Sequence, residues 1–186
     1  MSALQNLPSN LSYLSPVGFK FSLANFPDVT YFCQAANIPG ISLSTLQIGL
    51  PLKDIEEPGD TVSYEELAIR FIVDENMKNW LSIYDWITAL GFPTPELQKK
   101  RQILKENMEL KTDAVLTVLT SNLNAQLNFK FFECFPLNLS SISFDAAGTD
   151  IDYVVADVSF RYDLYEVQNL LNNEESYLGA PINRNA

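Results

Sequence analysis

The sequence predicts a mainly β protein of the α+β class, an antiparallel β-sandwich or barrel of about six or seven strands with one core helix. Several short segments alternate apolar and polar residues, which is typical of half-buried strands. One longer segment instead repeats its apolar residues with the spacing of a helix turn, which indicates a helix that packs on the sheet.

Strands are predicted wherever the alternation is clean. They cover 19–23, 29–36, 64–73, 114–120, 127–134 and 151–167. A Pro-Asp turn at 27–28 favours antiparallel pairing of the first two strands with each other. In the long final strand, alternate apolar residues from Val154 to Leu164 form one face, and Asp157 and Asp163 lie on the other.

The core helix is predicted at 75–89. Asp74 is a good N-cap for it, and Gly91 with the following proline ends it. Its apolar stripe is expected to pack on the sheet and consists of Met77, Trp80, Leu81, Tyr84 and Ile87. A weaker signal with a thin apolar stripe indicates a second helix at 95–110.

The length of 186 residues fits one domain with a sizeable core. We expect an uncharged N-terminal arm at 1–16, a single β domain at 17–167 and a flexible tail at 168–186. No apolar run approaches the roughly 18 residues of a membrane span, and the N-terminus lacks the features of a signal peptide. These observations predict a protein of cytosolic origin with no membrane partner.

The residue inventory argues against catalysis. The chain contains no histidine, the commonest general base and metal ligand, and no glycine-rich phosphate loop or nucleophile motif. Cys33 and Cys134 stand in apolar stretches and are interpreted as buried, reduced side chains, with a disulfide as the alternative. The sequence therefore predicts a protein that is not an enzyme and uses no cofactor or metal.

The most informative segment is the connection that follows the strand at 29–36. Loops are normally polar, but this one is unusually apolar before a Pro-Gly-Asp turn at 58–60. Its apolar residues are Ile41, Leu43, Leu46, Ile48, Leu50, Leu52 and Ile55. We expect it to be buried against another molecule, with a second copy of the chain as the first candidate.

Charge is unevenly distributed along the chain, whose net charge is −11. This balance argues against a protein that grips nucleic-acid phosphates. An acidic set contains Asp54, Glu56, Glu57 and Asp60, and a basic set contains Lys99, Lys100, Arg101 and Lys105. We hypothesise that the two sets meet between neighbouring subunits and guide their register. The alternative is that both are solvated faces of one subunit.

Several local motifs follow one another in a recognisable order. They are FCQAANIPG at 32–40, IGLPL at 48–52, PGDT at 58–61, NWLSIYDWI at 79–87, FPLNL at 135–139 and FRYDLY at 160–165. In this order and spacing the chain resembles the tail tube proteins of contractile-tailed bacteriophages from Phe19 to Glu166. Those proteins share a fold with the type VI secretion tube protein and with baseplate proteins that initiate the tube.

The resemblance implies a structural virion protein. Its subunits would form hexameric rings that stack into the inner tail tube, through which DNA passes without specific binding. It implies the sheath protein, the baseplate tube initiator and the tail terminator as partners, and assembly in the host cytoplasm. The apolar residues of 41–55 become the candidate stacking interface, and Asp157 and Asp163 become candidates for the channel lining.

Three alternatives remain open at this point. Two keep the same fold: a baseplate tube initiator and a type VI secretion tube subunit. The third is a ligand-binding β-barrel, because the chain has 12 phenylalanines and 8 tyrosines that could line a pocket. The apolar connection favours assembly over carriage of a small molecule.

Overall fold

The computed structural model describes residues 14–49, 53–91, 94–96, 110–144, 153–170 and 174–176. The strands within these ranges are β1 (Phe19–Leu23), β2 (Cys33–Ala36), β3 (Ile41–Ile48), β4 (Ile55–Tyr64), β5 (Leu67–Ile72), β6 (Thr112–Leu119), β7 (Ala125–Leu139), β8 (Val155–Arg161), β9 (Leu164–Asn169) and β10 (Glu174–Ser176). The helices are α1 (Pro27–Tyr31) and α2 (Lys78–Gly91). No helix in these ranges combines the length and apolarity that a membrane crossing needs.

Most strands belong to one bent sheet that folds into two layers. Its order is β1-β6-β7-β8-β5-β2, with β9 on the first part of β7 and β10 on β9, and every pair is antiparallel. In the described part of the chain, β1 and β2 end this order without pairing to each other. The predicted mainly β fold is confirmed in its sandwich form, and the sheet does not close into a barrel.

Strand β7 passes from one layer to the other. Residues 127–132 pair with β9, whereas residues 135–139 pair with β8. Between them Glu133 adopts φ 57°, a left-handed conformation that costs most residues about 1–2 kcal/mol. Its backbone N–H donates to the carboxylate of Asp113 at 3.3 Å, which helps to hold the bend.

The predicted single strand at 151–167 is wrong, because a corner divides it into β8 and β9. At the corner the Asp163 N–H donates to the Phe132 carbonyl at 3.1 Å. The corner shifts the alternation of faces, so Tyr162 and Tyr165 are both buried at 5% exposure, although they are three residues apart. Leu164, expected on the apolar face, is instead 43% exposed.

The predicted strand at 29–36 is also wrong in its first part. Helix α1 occupies Pro27–Tyr31, and β2 pairs with β5 rather than with β1. Pro27 suits the first turn of a helix, and Val29 fills the core at 0% exposure. The Thr30 hydroxyl accepts from the Leu23 N–H at 3.0 Å, so α1 is tied across to β1.

Helix α2 confirms the predicted core helix but begins at Lys78 rather than at residue 75. The N-cap predicted at Asp74 is instead Met77, whose carbonyl accepts the first helical hydrogen bond from the Leu81 N–H. The Asp74 carboxylate still accepts from the Lys78 N–H at 2.6 Å, so it supports the first turn from four residues upstream. The predicted apolar stripe is wrong for Leu81 and Tyr84, which are 46% and 47% exposed. The buried residues are Asn79, Ile83, Trp86 and Ala89.

Asn79 explains why the stripe was misassigned. Its side-chain amide donates to the Ile72 carbonyl at 2.8 Å, and its amide oxygen accepts from the Asp74 N–H at 3.3 Å. A polar side chain with such partners can be buried, and an apolar periodicity contains no signal for it. On the same face, Trp86 stacks on Phe26 at 4.7 Å between ring centroids.

The described residues reach only part of the other predicted segments. Within the expected tail, β9 continues to Asn169 and β10 pairs with it. The predicted helix at 95–110 lies outside the described residues except at its first two and last positions.

Core packing gives a first testable prediction. Phe160 is fully buried between the layers and lies 6.1 Å from the ring of Trp86. We expect Phe160→Ala to lower the free energy of unfolding by about 3–5 kcal/mol, because the cavity adds to the lost transfer energy. Phe144→Ala is the control, since Phe144 is 76% exposed. Urea unfolding of both variants measures the difference, and similar losses would contradict this packing.

Candidate assembly interface

The apolar connection is a two-stranded hairpin that stands apart from the sandwich. Strands β3 and β4 pair with each other in a separate sheet, from Ile41 opposite Tyr64 to Ile48 opposite Ile55. The loop predicted here, with its turn at 58–60, is therefore wrong: residues 58–60 lie inside β4. A strand with one apolar face carries an apolar residue at every second position. In β3 this spacing changes at the middle, where Leu43 and Leu46 are three positions apart.

A bulge in β4 lies at the middle of the hairpin, opposite this change in spacing. Leu43 lies opposite Val62 and Thr45 opposite Pro58, so Ser44 faces the three residues 59–61. The Ser44 hydroxyl accepts from the Thr61 N–H at 3.2 Å. Proline within a strand is typically found at such bulges or at sheet edges, which accounts for its position here.

The predicted apolar residues that the structure describes are all exposed in the single chain. The exposed fractions range from 39% to 59% for Ile41, Leu43, Leu46, Ile48 and Ile55. Val62, on the partner strand β4, is also exposed, at 46%. Leu50 and Leu52, also predicted for this interface, lie outside the described residues. The hairpin therefore displays a large apolar surface on an element that the sandwich does not cover.

Alternation along β3 divides this surface between two opposite faces. Ile41 and Leu43 share a face with Val62 at the base of the hairpin. Leu46 and Ile48 lie on the other face, towards the tip, together with Ile55. The two apolar patches therefore point in opposite directions, and one flat partner surface cannot cover both.

The charged candidates are only partly described. Asp54, Glu56, Glu57 and Asp60 are exposed on the hairpin. Lys99, Lys100, Arg101 and Lys105 lie outside the described residues, so the predicted contact between the two sets stays a prediction. Within β4, Glu56 faces Gln47 and Glu57 faces Leu46, so the acids lie on both faces of the hairpin.

The two candidates for a channel lining do not form one acidic face. Asp157, on the outer side of β8, receives two hydrogen bonds from the Arg70 guanidinium at 2.8 and 3.2 Å. Asp163 lies at the corner and receives the Lys111 ammonium at 3.4 Å. The hydrogen bond and charge of Asp157 raise the pKa of Arg70. Asp157 thus pairs with Arg70, whereas Asp163 shares the Lys111 ammonium with Glu133, whose carboxylate lies 3.5 Å from it.

Two short links join the hairpin to the sandwich. The incoming link is residues 37–40 and the outgoing link is residues 65–66. The two links hold each other: the Glu65 N–H donates to the Gly40 carbonyl at 3.0 Å, and the Gly40 N–H donates to the Glu65 carboxylate at 3.2 Å. The Asn37 side chain also donates to the Glu66 carbonyl at 3.1 Å.

Two buried tyrosines bond these links from the β8–β9 corner. The Tyr162 hydroxyl donates to the Glu65 carbonyl at 2.9 Å, and the Tyr165 hydroxyl donates to the Pro39 carbonyl at 3.3 Å. Both rings also pack against Tyr64, the last residue of β4, at 5.9 and 5.6 Å between centroids. Sequence analysis missed the role of both tyrosines, because it treated the corner as a continuous strand.

Comparison with known proteins identifies the family. The sequence profile described as "Phage tail tube protein" matches residues 5–168. The chain belongs to the phage tail tube protein family. The tail tube terminator protein of Enterobacteria phage T4 is 25% identical over 146 residues, which span 75% of this chain and 78% of the relative. The family resemblance seen in the motifs is therefore confirmed, and the protein is a structural component of the virion tail.

Two solved structures have the same fold. The tube-terminating cap of the anti-feeding prophage matches with a TM-score of 0.61 at 16% identity, covering 91% of this chain and 99% of the cap chain. A chain of the PVC sheath–tube complex, from an extracellular contractile injection system, matches with a TM-score of 0.58 at 17% identity and the same coverages. The tail tube fold of the family thus includes this chain.

The hairpin bulge gives a second prediction. A methyl group at Gly59 would lie 2.8 Å from the backbone oxygen of Ser44, which cannot move aside as a flexible side chain can. We expect Gly59→Ala to change the amide chemical shifts of β3 and β4 and to leave those of the sandwich unchanged. Gly49→Ala is the matched control, since its methyl group would meet only the Asp54 carboxylate, at 3.7 Å. Unchanged hairpin shifts in Gly59→Ala would contradict the bulge.

The tyrosines give a third prediction, on alkaline pH. Burial, as the main cause, raises the pKa of Tyr162 and of Tyr165 above the ordinary tyrosine value of about 10. Their contribution to stability is therefore complete below pH of about 10 and is lost as pH rises towards their folded-state values. We expect wild-type stability, measured by urea unfolding, to fall over this range.

The control for the alkaline prediction is the double variant Tyr162→Phe/Tyr165→Phe. It should lose less stability than the wild type over the same pH interval, since neither hydroxyl can ionise. The two thiols, half-buried Cys33 and buried Cys134, cancel in this comparison, because both proteins contain them. Equal losses would show that the tyrosine hydroxyls are not the groups responsible.

Proposed function

We propose that this chain forms the ring that terminates the tail tube, by binding the last tube ring through the β3–β4 hairpin. The T4 relative, which is a tail tube terminator, supports this role over that of a tube subunit. The observation that carries the mechanism is the hairpin itself, with its apolar residues 39–59% exposed on an element that projects from the sandwich.

Burial of these side chains would supply the binding energy. Each half-exposed leucine or isoleucine would contribute about 1 kcal/mol on becoming covered, as a share of the value for complete burial. That is a weak contribution for a single subunit. In a closed ring every hairpin binds at once, so the contributions combine and a fully formed ring binds a tube end far more tightly than a free subunit does.

The two opposite faces of the hairpin suit this geometry. Closed rings use head-to-tail contacts between different surfaces of identical subunits, and stacking adds a second kind of interface. We propose that the face with Leu46, Ile48 and Ile55 near the tip meets the adjoining tube ring. The base face with Ile41 and Leu43 would meet the neighbouring subunit of the same ring.

The remaining partners follow from this position. A hexameric ring at the tube end would continue the central channel and let DNA pass without specific binding. It would also lie next to the sheath protein, and it would be added during assembly in the host cytoplasm. The acidic residues of the hairpin, among them Glu56 and Glu57, would face the basic residues 99–105 of a neighbour and guide register rather than supply affinity.

The second candidate is a subunit of the tube itself. The family is described as tail tube proteins, and an apolar surface that points in two directions also suits rings that stack without limit. A tube subunit must bind copies of itself on both sides of the ring, whereas a terminator binds the tube on one side only. A baseplate tube initiator of the same fold differs from both in binding the opposite end of the tube.

Electron microscopy separates these candidates. The purified protein is imaged over a concentration series, alone and with preformed tail tubes. A terminator adds one ring to one end of each tube and stops further growth, whereas a tube subunit lengthens the tubes or forms tubes alone. Binding at the baseplate end would indicate an initiator. Absence of binding at every concentration would overturn all three roles.

The hairpin gives a fourth prediction. We expect Leu46→Asp/Ile55→Asp to abolish binding to tube ends, because two charges would replace apolar side chains at the proposed contact. The stability of the free subunit should hold, since both residues are exposed. Leu123→Asp is the control: Leu123 is 71% exposed in the turn between β6 and β7 and lies outside the hairpin. Cosedimentation with tubes measures binding, and normal binding by the double variant would contradict the hairpin interface.

A further inference from the structure

We propose that Tyr162 and Tyr165 are positioning residues that fix the direction in which the hairpin projects, so that it is ready to bind before assembly begins. This inference rests on the proposed function of the hairpin as an assembly element. It concerns residues that touch no proposed partner, since both tyrosines are buried at the β8–β9 corner.

The hairpin is attached to the β8–β9 corner through both of its links. A two-stranded hairpin is marginally stable alone in water, so its direction depends on what holds its base. Here each link receives one tyrosine hydroxyl: Tyr165 bonds the incoming link at Pro39, and Tyr162 bonds the outgoing link at Glu65. One bond would let the hairpin pivot, whereas two bonds on different links prevent rotation about either of them.

The two tyrosine rings are themselves held in place by their packing. Tyr162 lies 5.0 Å and Tyr165 lies 5.4 Å from the ring of Phe131, and the two tyrosine rings are 6.0 Å apart. Phe131 is fully buried in β7, the strand shared by both layers. The hydroxyls are therefore held by rings that pack in the buried core, and the hairpin takes its direction from that core.

The β8–β9 corner places both tyrosines on the same side of the chain. In a continuous strand, residues 162 and 165 would point to opposite faces. The corner at Asp163 shifts the alternation by one position, so both rings face inwards and both hydroxyls reach the links. The corner thus has a consequence for assembly, because a strand without it could supply only one of the two hydroxyls.

Hydrogen exchange of the free subunit tests this proposal without any tube. In Tyr162→Phe/Tyr165→Phe we expect faster exchange at the Glu65 amide and along β3 and β4, by about fivefold for each hydroxyl removed. Exchange in β5 to β8 should stay unchanged. Tyr84→Phe is the matched control, because Tyr84 is exposed on α2 and its ring stacks on Trp80 outside this cluster.

The distribution of the faster exchange distinguishes positioning of the hairpin from a general contribution to stability. If the hydroxyls only stabilise the fold, exchange rises across the sandwich as much as in the hairpin, and the proposal is overturned. Unchanged exchange throughout would overturn it as well. Binding to tube ends is then measured for the same variants, and a weaker association, with exchange in β5 to β8 unchanged, is the expected result.

The two experiments keep this inference separate from the proposed function. If the wild-type protein fails to bind tubes, the role in assembly is wrong, while the exchange data still decide whether the tyrosines hold the hairpin. If the wild type binds and the double variant binds equally well despite a loosened hairpin, the hairpin direction does not matter for assembly, and the inference is overturned.

Discussion

Four aromatic rings pack where the two layers of the sandwich are joined, and the rest of the structure depends on their contact. Phe131 lies in the strand that both layers share, Tyr162 and Tyr165 flank the β8–β9 corner, and Tyr64 ends the hairpin. Such ring pairs contribute about 0.5–1.5 kcal/mol each beyond the area that they bury. The cluster therefore stabilises the bend between layers and the attachment of the hairpin together.

This arrangement separates two tasks that a tail protein must combine. The sandwich buries its apolar side chains within one chain, as Phe71 and Phe160 illustrate at 0% exposure. The hairpin leaves its apolar side chains 39–59% exposed in the single chain. In the described part of the chain, the hairpin is joined to the sandwich through residues 37–40, Tyr64 and residues 65–66, so a change at an exposed hairpin residue such as Leu46 is expected to leave the core unaffected.

The sequence predicted those parts of the fold in which local pattern and tertiary packing agree. The alternation of Leu67, Ile69 and Phe71 identified β5, because alternate residues of this strand are buried in the core. The helix predicted at 75–89 is present at 78–91, although its N-terminus and part of its buried face differ from the prediction. Prediction failed where packing overrides pattern: α1 is too short for periodicity to develop, and Asn79 is buried by its hydrogen bonds rather than by apolarity.

The candidate interface was predicted from composition, while its shape was not. An excess of leucine and isoleucine in a connection indicates that a surface is covered, but it does not distinguish a loop from a hairpin. The apolar residues of β3 change face between Leu43 and Leu46, which are three positions apart, and the bulge of β4 lies opposite this step. Apolar residues that change face along a strand follow no single period, so the sequence of this segment resembles that of a loop. The same change of face that concealed the hairpin from sequence analysis gives it two exposed apolar faces, which suits the place proposed for it between a neighbour in the ring and the next ring of a tube.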